Sequence, residues 1–131
     1  MIVFKFEFES ETDVIIVNAT IQNKYKLRLA LDTAATHSTI DSNILYFTGY
    51  ELQNSKGKLE IETANGIIIV ERFSIENFEC LGILKDNFEI QVYDFLSHGI
   101  VSDYDGVVGL DFFKDNKFCI DLNKKEITIN F

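Results

Sequence analysis

The chain has 131 residues, a formal net charge of −9, 47% hydrophobic residues and no proline. That length predicts one domain over residues 1–131, and the apolar fraction excludes a disordered chain. The excess of acidic over basic residues, 21 against 12, argues against nucleic acid and anionic membrane as partners.

The dominant hydrophobic period is two, which is typical of strands with one buried face. At the start of the chain, Ile2, Phe4, Phe6 and Phe8 alternate with other residues and predict such a strand. Charged residues interrupt this segment, so we expect neither a signal peptide nor a membrane span. In chain order, strands are predicted at 2–8, 14–17, 26–31, 59–63, 67–70, 73–75, 88–93, 117–121 and 126–130, with short helices at 42–46 and 111–115.

The segment 58–73 predicts the clearest hairpin of the chain. An alternating strand runs into Asn65-Gly66, and four apolar residues then return. Asn-Gly suits a type I′ turn, in which both central residues take positive φ. We therefore predict a two-residue type I′ turn at this dipeptide.

Asp32 is the first candidate for chemistry, because it follows directly on the apolar strand 27–31. A carboxylate at the end of a buried strand is costly unless it is hydrogen-bonded, and the small residues after it let backbone N–H groups approach. On spacing alone, an Asp that caps the next turn is the favoured explanation.

The second candidate segment is 105–113, where two apolar residues precede Gly109. This pattern predicts a short buried strand that passes close to other backbone and then enters a helix. Asp111 would lie at the positive end of that helix. Alone, the segment is an ordinary corner from strand to helix.

Together, the two segments resemble the retropepsin-like (retroviral-type) aspartic proteases, in their cellular and retrotransposon-derived branch. Residues 31–38, Leu-Asp-Thr-Ala-Ala-Thr-His-Ser, resemble the active-site motif of that family, with Ala34 in place of the commoner Gly. Residues 107–113, Val-Val-Gly-Leu-Asp-Phe-Phe, resemble its second motif. The Asn65-Gly66 dipeptide falls between them, where the family places its flap hairpin.

This resemblance implies an all-β fold: a small closed β-barrel-like retropepsin domain with a flap hairpin and one short C-terminal helix. It also implies a homodimer that cleaves polypeptides, because the chain offers one Asp-Thr-Ala motif and the reaction needs two carboxyls. The termini would interleave between subunits. The implied catalytic residues are Asp32, Thr33 and Ala34, and the implied substrate-binding residues are Ala35, Thr36, His37, Ala64, Asn65, Gly66, Val108 and Gly109.

Two other functions stay open at this point. A catalytically silent module could keep the fold and bind peptides without cleaving them, and the replacement at Ala34 is its support. A plain interaction domain could bind partners at its strand edges by β-augmentation.

The two cysteines, Cys80 and Cys119, have no His or Cys partner nearby in the sequence. Isolated cysteines are usually small buried apolar groups in a reducing compartment. We therefore expect two buried free thiols, no metal or other cofactor, and a cytoplasmic location.

Overall fold

The computed structural model describes residues 1–8 and 13–130. Most of the predicted strands are present, and the alternation of apolar and polar residues explains their buried and exposed faces. None of the helices is long and apolar enough to cross a membrane within these residues. The strands are β1 Ile2–Lys5, β2 Glu7–Phe8, β3 Ile15–Ile21, β4 Tyr25–Leu31, β5 Thr39–Asp41, β6 Lys58–Thr63, β7 Gly66–Ile75, β8 Phe78–Cys80, β9 Ile83–Lys85, β10 Phe88–Tyr93, β11 Gly106–Val108, β12 Lys117–Asp121 and β13 Glu126–Asn130; the helices are α1 Ser42–Phe47 and α2 Leu110–Phe113.

The larger sheet has the strand order β6-β7-β10-β5-β11-β4-β3-β8-β9, with β2 paired to β3. Strand β11 runs parallel to β4 and antiparallel to β5, so it lies between the two strands that flank residues 32–38. No pairing among the described residues closes this sheet, so the all-β class is confirmed and the closed barrel is not.

The smaller sheet has the order β1-β13-β12, and all of its pairs are antiparallel. Its inner face carries apolar rungs, one of which is Phe4, Ile127 and Ile120. Because β13 is paired on both sides within one chain, the edges that another chain could extend belong to β1 and β12. The interleaving of the termini between subunits stays a prediction, which these open edges would allow.

The predicted strand 2–8 is divided between the two sheets. The N–H of Phe6 donates to the carbonyl of Lys125 at 3.0 Å, and the chain then continues into β2 beside β3. Phe6 is buried, whereas Ile2 is 41% exposed. The alternation therefore predicted extended backbone correctly but not a single continuous face.

The predicted type I′ turn at Asn65-Gly66 is wrong. Strand pairing joins Thr63 to Gly66, so the two loop residues are Ala64 and Asn65. Only Gly66 takes positive φ there, at 114°, and Asn65 does not. The tertiary register of β6 and β7 moved the turn back by one residue.

The positive-φ pair expected for a type I′ turn occurs instead between β3 and β4. Gln22 and Asn23 have φ of 54° and 57°, and the N–H of Lys24 donates to the carbonyl of Ile21 at 3.0 Å. Asn tolerates this conformation better than most residues.

The two cysteines differ in environment, although both are free thiols. Cys80 is buried in the core, as predicted, and burial is the main cause that raises its pKa to about 12. Cys119 is exposed, so the prediction of burial is wrong for it. It lies on the outer face of β12, because the inner face is filled by its neighbours Phe118 and Ile120.

The hydrophobic core lies between the two sheets and α2. Aromatic rings dominate one end, where Phe78 and Phe112 have centroids 5.3 Å apart in an edge-to-face arrangement. Phe112 and Phe113 are buried side by side and fix α2 against the sheet. This packing positions the start of α2 next to the end of β4.

Candidate active site around Asp32

Asp32 lies directly after β4, with its side chain exposed. Its N–H donates to the carbonyl of Val108 at 3.1 Å, and its own carbonyl accepts from the N–H of Ala35 at 3.1 Å. The N–H of Ala34 donates to Asp32 Oδ1 at 2.9 Å. The backbone therefore holds one carboxylate oxygen. No hydrogen bond from the described residues reaches the other oxygen.

Gly109 makes the close backbone approach that the sequence predicts. A Cβ atom at Gly109 would lie 2.5 Å from the carbonyl oxygen of Ala35. That same carbonyl accepts from the N–H of Leu110 at 2.8 Å. Only glycine lets the second motif lie this close to the loop that carries Asp32.

A buried side-chain network joins the same two segments. The hydroxyl and N–H of Ser38 donate to the two carboxylate oxygens of Asp111, at 2.8 and 2.9 Å. Ser38 Oγ also accepts from the N–H of Gly109 at 3.0 Å, and Ser38 is 1% exposed. The network fixes the Ser38 end of the loop 32–38 to the start of α2.

The sequence did not single out this network. Ser38 was only the last residue of the matched motif, and Asp111 was expected to interact with the helix end. Hydroxyl and carboxylate side chains 73 residues apart give no pairing signal in one sequence. The spacing of Asp111 two residues after Gly109 is a weak hint, since it places the carboxylate where the glycine brings the chains together.

The remaining residues of the first motif form an exposed surface. Thr33, Ala34, Thr36 and His37 are exposed, and Ala35 is partly buried. The hydroxyl of Thr36 lies 3.0 Å from Nδ1 of His37. These exposed side chains are accessible to another chain or to a ligand.

Val108 and Gly109, also expected at the substrate site, are buried. The carbonyl of Val108 accepts the hydrogen bond from the Asp32 N–H, so Val108 supports the backbone of Asp32 from the buried side.

The tip of the hairpin, Ala64 to Gly66, is exposed. Thr63 Oγ1 donates to the carbonyl of Gly66 at 2.8 Å and accepts from the N–H of Asn65 at 3.2 Å. No hydrogen bond within residues 1–8 and 13–130 joins this tip to the loop 32–37. The single chain thus brings the two motifs together and leaves the hairpin separate.

A groove of about 650 Å³ lies elsewhere. It is walled by the N-terminal aromatic residues Phe4, Phe6 and Phe8 and by parts of β3 and β4, and Asp32 does not line it. Asp32 instead combines a backbone-held carboxylate oxygen with exposure, the two properties that general acid–base chemistry needs. In the described part of the chain, no three His, Cys, Asp or Glu side chains are grouped to hold a metal ion.

Comparisons with known proteins identify the family. The sequence profile of the family described as "gag-polyprotein putative aspartyl protease" matches residues 17–115, and the chain belongs to this family. A search of curated proteins finds no significant match. Among solved structures, a retropepsin-like aspartic protease from Rickettsia conorii superposes with a TM-score of 0.72 at 19% identity, over 99% of both chains. The fold is therefore retropepsin-like, as the resemblance in the sequence implied.

Proposed function

We propose that this chain is a homodimeric aspartic endopeptidase in which the Asp32 carboxyls of two copies activate a water molecule. The observation that carries the proposal is the placement of Asp32 in a chain of this family. Its carboxylate is exposed, and the N–H of Ala34 holds one oxygen at 2.9 Å.

The reaction needs two carboxyls that share one proton. One carboxylate takes a proton from water, and the protonated partner gives a proton to the peptide as it is cleaved. Two carboxyls in contact cannot easily both be ionised, so the pair holds the single proton that separates these roles. In the proposal, each copy contributes one Asp32, and Thr33 braces the pair across the interface.

A second copy is supported by the surface around Asp32. Thr33 and Ala34 are exposed in the single chain, although they adjoin the buried Ser38 network. The terminal sheet offers the open edges of β1 and β12, and Ile2 and Val3 on β1 are 41% and 48% exposed. A two-fold symmetric dimer would bury such edges, which otherwise favour aggregation.

The hairpin β6–β7 is proposed as the flap over the substrate. Ile67 and Ile69 share a sheet face with the core residue Phe73, yet they are 68% and 57% exposed. An apolar substrate side chain next to the scissile bond would cover them. We therefore propose hydrophobic side chains as the preferred substrate feature.

The proposed location is the cytoplasm. Both cysteines are free thiols, which suits a reducing compartment.

The test of the activity is Asp32→Asn, which removes the ionisable group and keeps the shape. Wild-type and variant chains are incubated with an unbiased peptide library at several pH values, and sedimentation across a dilution series reports the dimer. We expect cleavage by the wild type between mildly acidic and neutral pH, falling on both sides because the pair must hold one proton. The variant should stay folded and dimeric but inactive.

Cleavage by a folded Asp32→Asn chain would falsify the catalytic assignment. A strict monomer at high concentration would remove the two-carboxyl mechanism. Peptide binding without cleavage at any pH would favour the silent binding module instead.

A further inference from the structure

The hairpin β6–β7 leaves the main sheet at Glu71 and Arg72. Strand β7 pairs with β10 from Glu71 to Ile75. Between Glu71 and the tip, β7 pairs only with β6 among the described residues. The arm is therefore a two-stranded ribbon, and a motion of the arm must bend the chain where the ribbon joins the sheet.

Arg72 binds the strand that enters this ribbon. Its Nη2 donates to the carbonyl of Lys56 at 3.2 Å, and its backbone N–H donates to the carbonyl of Gly57 at 3.0 Å. The N–H of Lys56 in turn donates to the carbonyl of Arg72 at 2.7 Å. Arg72 thus joins both strands at the root of the arm by main-chain and side-chain contacts.

The guanidinium also reaches β10. Arg72 Nη1 lies 3.6 Å from Glu89 Oε1, and the two side chains are 39% and 53% exposed. An ion pair this exposed contributes little, so the hydrogen bond to the Lys56 carbonyl is the stronger contact. Arg72 Nε is buried without an acceptor in the described part of the chain, a cost that the other contacts offset.

Ser55 and Glu71 secure the same strand on the opposite face of β7, because neighbouring strand residues point to opposite faces. The hydroxyl of Ser55 donates to the carboxylate of Glu71 and accepts from the N–H of Gly57 at 3.1 Å. On this face of β7, Phe73 packs edge-to-face against Tyr46 of α1, with ring centroids 6.4 Å apart. The face that carries Glu71 therefore points to α1.

Gly57 is required by this arrangement. Its φ is 129°, which L side chains rarely adopt, and a Cβ atom there would lie 3.3 Å from Arg72 Nη2. The segment 55–57 can follow Arg72 closely because position 57 has no side chain.

We propose that Arg72 and Glu71, with the segment 55–57, form a clamp that limits how far the hairpin opens, so that Arg72 is a positioning residue for substrate retention. The clamp acts at the root of the arm, on the faces of β7 that point to β10 and to α1. Its consequence for substrate rests on the proposed function, whereas its effect on the hairpin does not.

The first test measures amide hydrogen exchange without substrate. The amides of residues 56 and 72 report the clamp, because their hydrogen bonds to the carbonyls of Arg72 and Gly57 break when it opens. In Arg72→Ala, we expect roughly tenfold faster exchange at both amides, the size expected for one partly exposed hydrogen bond from a charged group. The amide of Asp32, bonded to Val108, should exchange at the wild-type rate.

The matched control is Lys58→Ala. Lys58 pairs with Glu71 across the hairpin and carries the same charge as Arg72, but its side chain makes no hydrogen bond or ion pair with the residues that the structure describes. This variant should leave the exchange at residues 56 and 72 unchanged. Arg72→Lys, which keeps the charge and one donor, should restore about half of the protection on a logarithmic scale.

The second test uses peptide cleavage. Arg72→Ala should raise KM about tenfold and change kcat less than about threefold, because a loose flap retains substrate poorly while the carboxyls are intact. If Arg72→Ala does not fold, Ser55→Ala replaces it, with faster exchange at residue 57 as the readout.

Unchanged exchange at residues 56 and 72 in a folded Arg72→Ala chain would overturn the clamp. An equal effect in Lys58→Ala would overturn it too, by assigning the change to lost charge. Faster exchange in a chain that cleaves no peptide would keep the clamp and reject the proposed function.

Discussion

Ser38→Ala tests whether the buried network holds the Asp32 loop in place. The substitution removes one oxygen from a site that is 1% exposed, and the remaining side chain still fits. It deletes the hydroxyl donor to Asp111 and the acceptor of the Gly109 N–H. The hydrogen bond from the Ser38 N–H to Asp111 stays.

The magnitude follows from these two losses. A hydrogen bond to a charged carboxylate contributes ~1.5–3 kcal/mol, and a buried N–H left without an acceptor costs ~1–3 kcal/mol. Together they predict a loss of about 3–5 kcal/mol in the free energy of unfolding, a large part of the ~5–15 kcal/mol of a typical domain. With a urea slope of ~2 kcal/mol/M, the midpoint should fall by roughly 1.5–2.5 M.

The assay is equilibrium urea unfolding at fixed chain concentration, in an Asp32→Asn background so that self-cleavage cannot contribute. Fixed concentration matters because dimerisation would shift the midpoint. Ser97→Ala is the matched control, since its hydroxyl is exposed and donates to the carbonyl of Asp94. It should change stability by no more than ~0.5 kcal/mol. A loss below ~1 kcal/mol for Ser38→Ala would refute the reasoning that this network anchors the loop.

Three further predictions concern the hairpin tip and the two thiols. Gly66→Val places a β-branched residue at φ 114° and should weaken peptide cleavage with little change in the dimer dissociation constant; wild-type cleavage rates would exclude a working flap. At neutral pH a thiol reagent should label Cys119 in the folded protein and reach Cys80 only in denaturant, as counted by mass. Because burial raises the pKa of Cys80 from 9.0 to about 12, the folded state holds that proton more tightly. Its contribution to stability is complete below pH ~9 and is lost as pH rises toward ~12, so Cys80→Ala should unfold with a shallower alkaline slope.

The loop 32–38 combines an exposed carboxylate at Asp32 with a buried hydroxyl at Ser38. In the proposed mechanism the carboxylate needs one positioned oxygen and one free oxygen, and the backbone N–H of Ala34 holds the first. The buried network of Ser38, Asp111 and Gly109 offsets the conformational entropy that is lost when this exposed loop is ordered. The proposed chemistry at Asp32 and the stabilising network at Ser38 thus lie at opposite ends of a seven-residue segment.

Local patterns alone determined much of this structure. The strands β10, β12 and β13 begin and end at the predicted residues, because apolar and polar side chains alternate cleanly and turn residues bound them. The close approach at Gly109 was also predictable, since a glycine between a buried strand and a helix has few other uses. The motif around Asp32 identified the family before any distance was known.

Tertiary structure decided what pairs with what. The strands β5, β8 and β9 have three residues each, too few for a period to be recognised, and they exist because neighbouring strands supply their hydrogen bonds.

The hairpin turn also depended on the fold. The register of β6 against β7 placed the loop at Ala64 and Asn65, although the Asn65-Gly66 dipeptide favoured a position one residue later. The six paired positions between β6 and β7 outweigh this local preference for a turn at Asn65-Gly66.

The contacts between Ser38 and Asp111, and between Arg72 and the Lys56 carbonyl, span 73 and 16 residues. The sequence supplied each donor and acceptor, but a single chain carries no signal of their pairing. Folding brings these groups within hydrogen-bond distance. It also buries Ser38, and burial makes an unpaired polar group costly enough to require its partner.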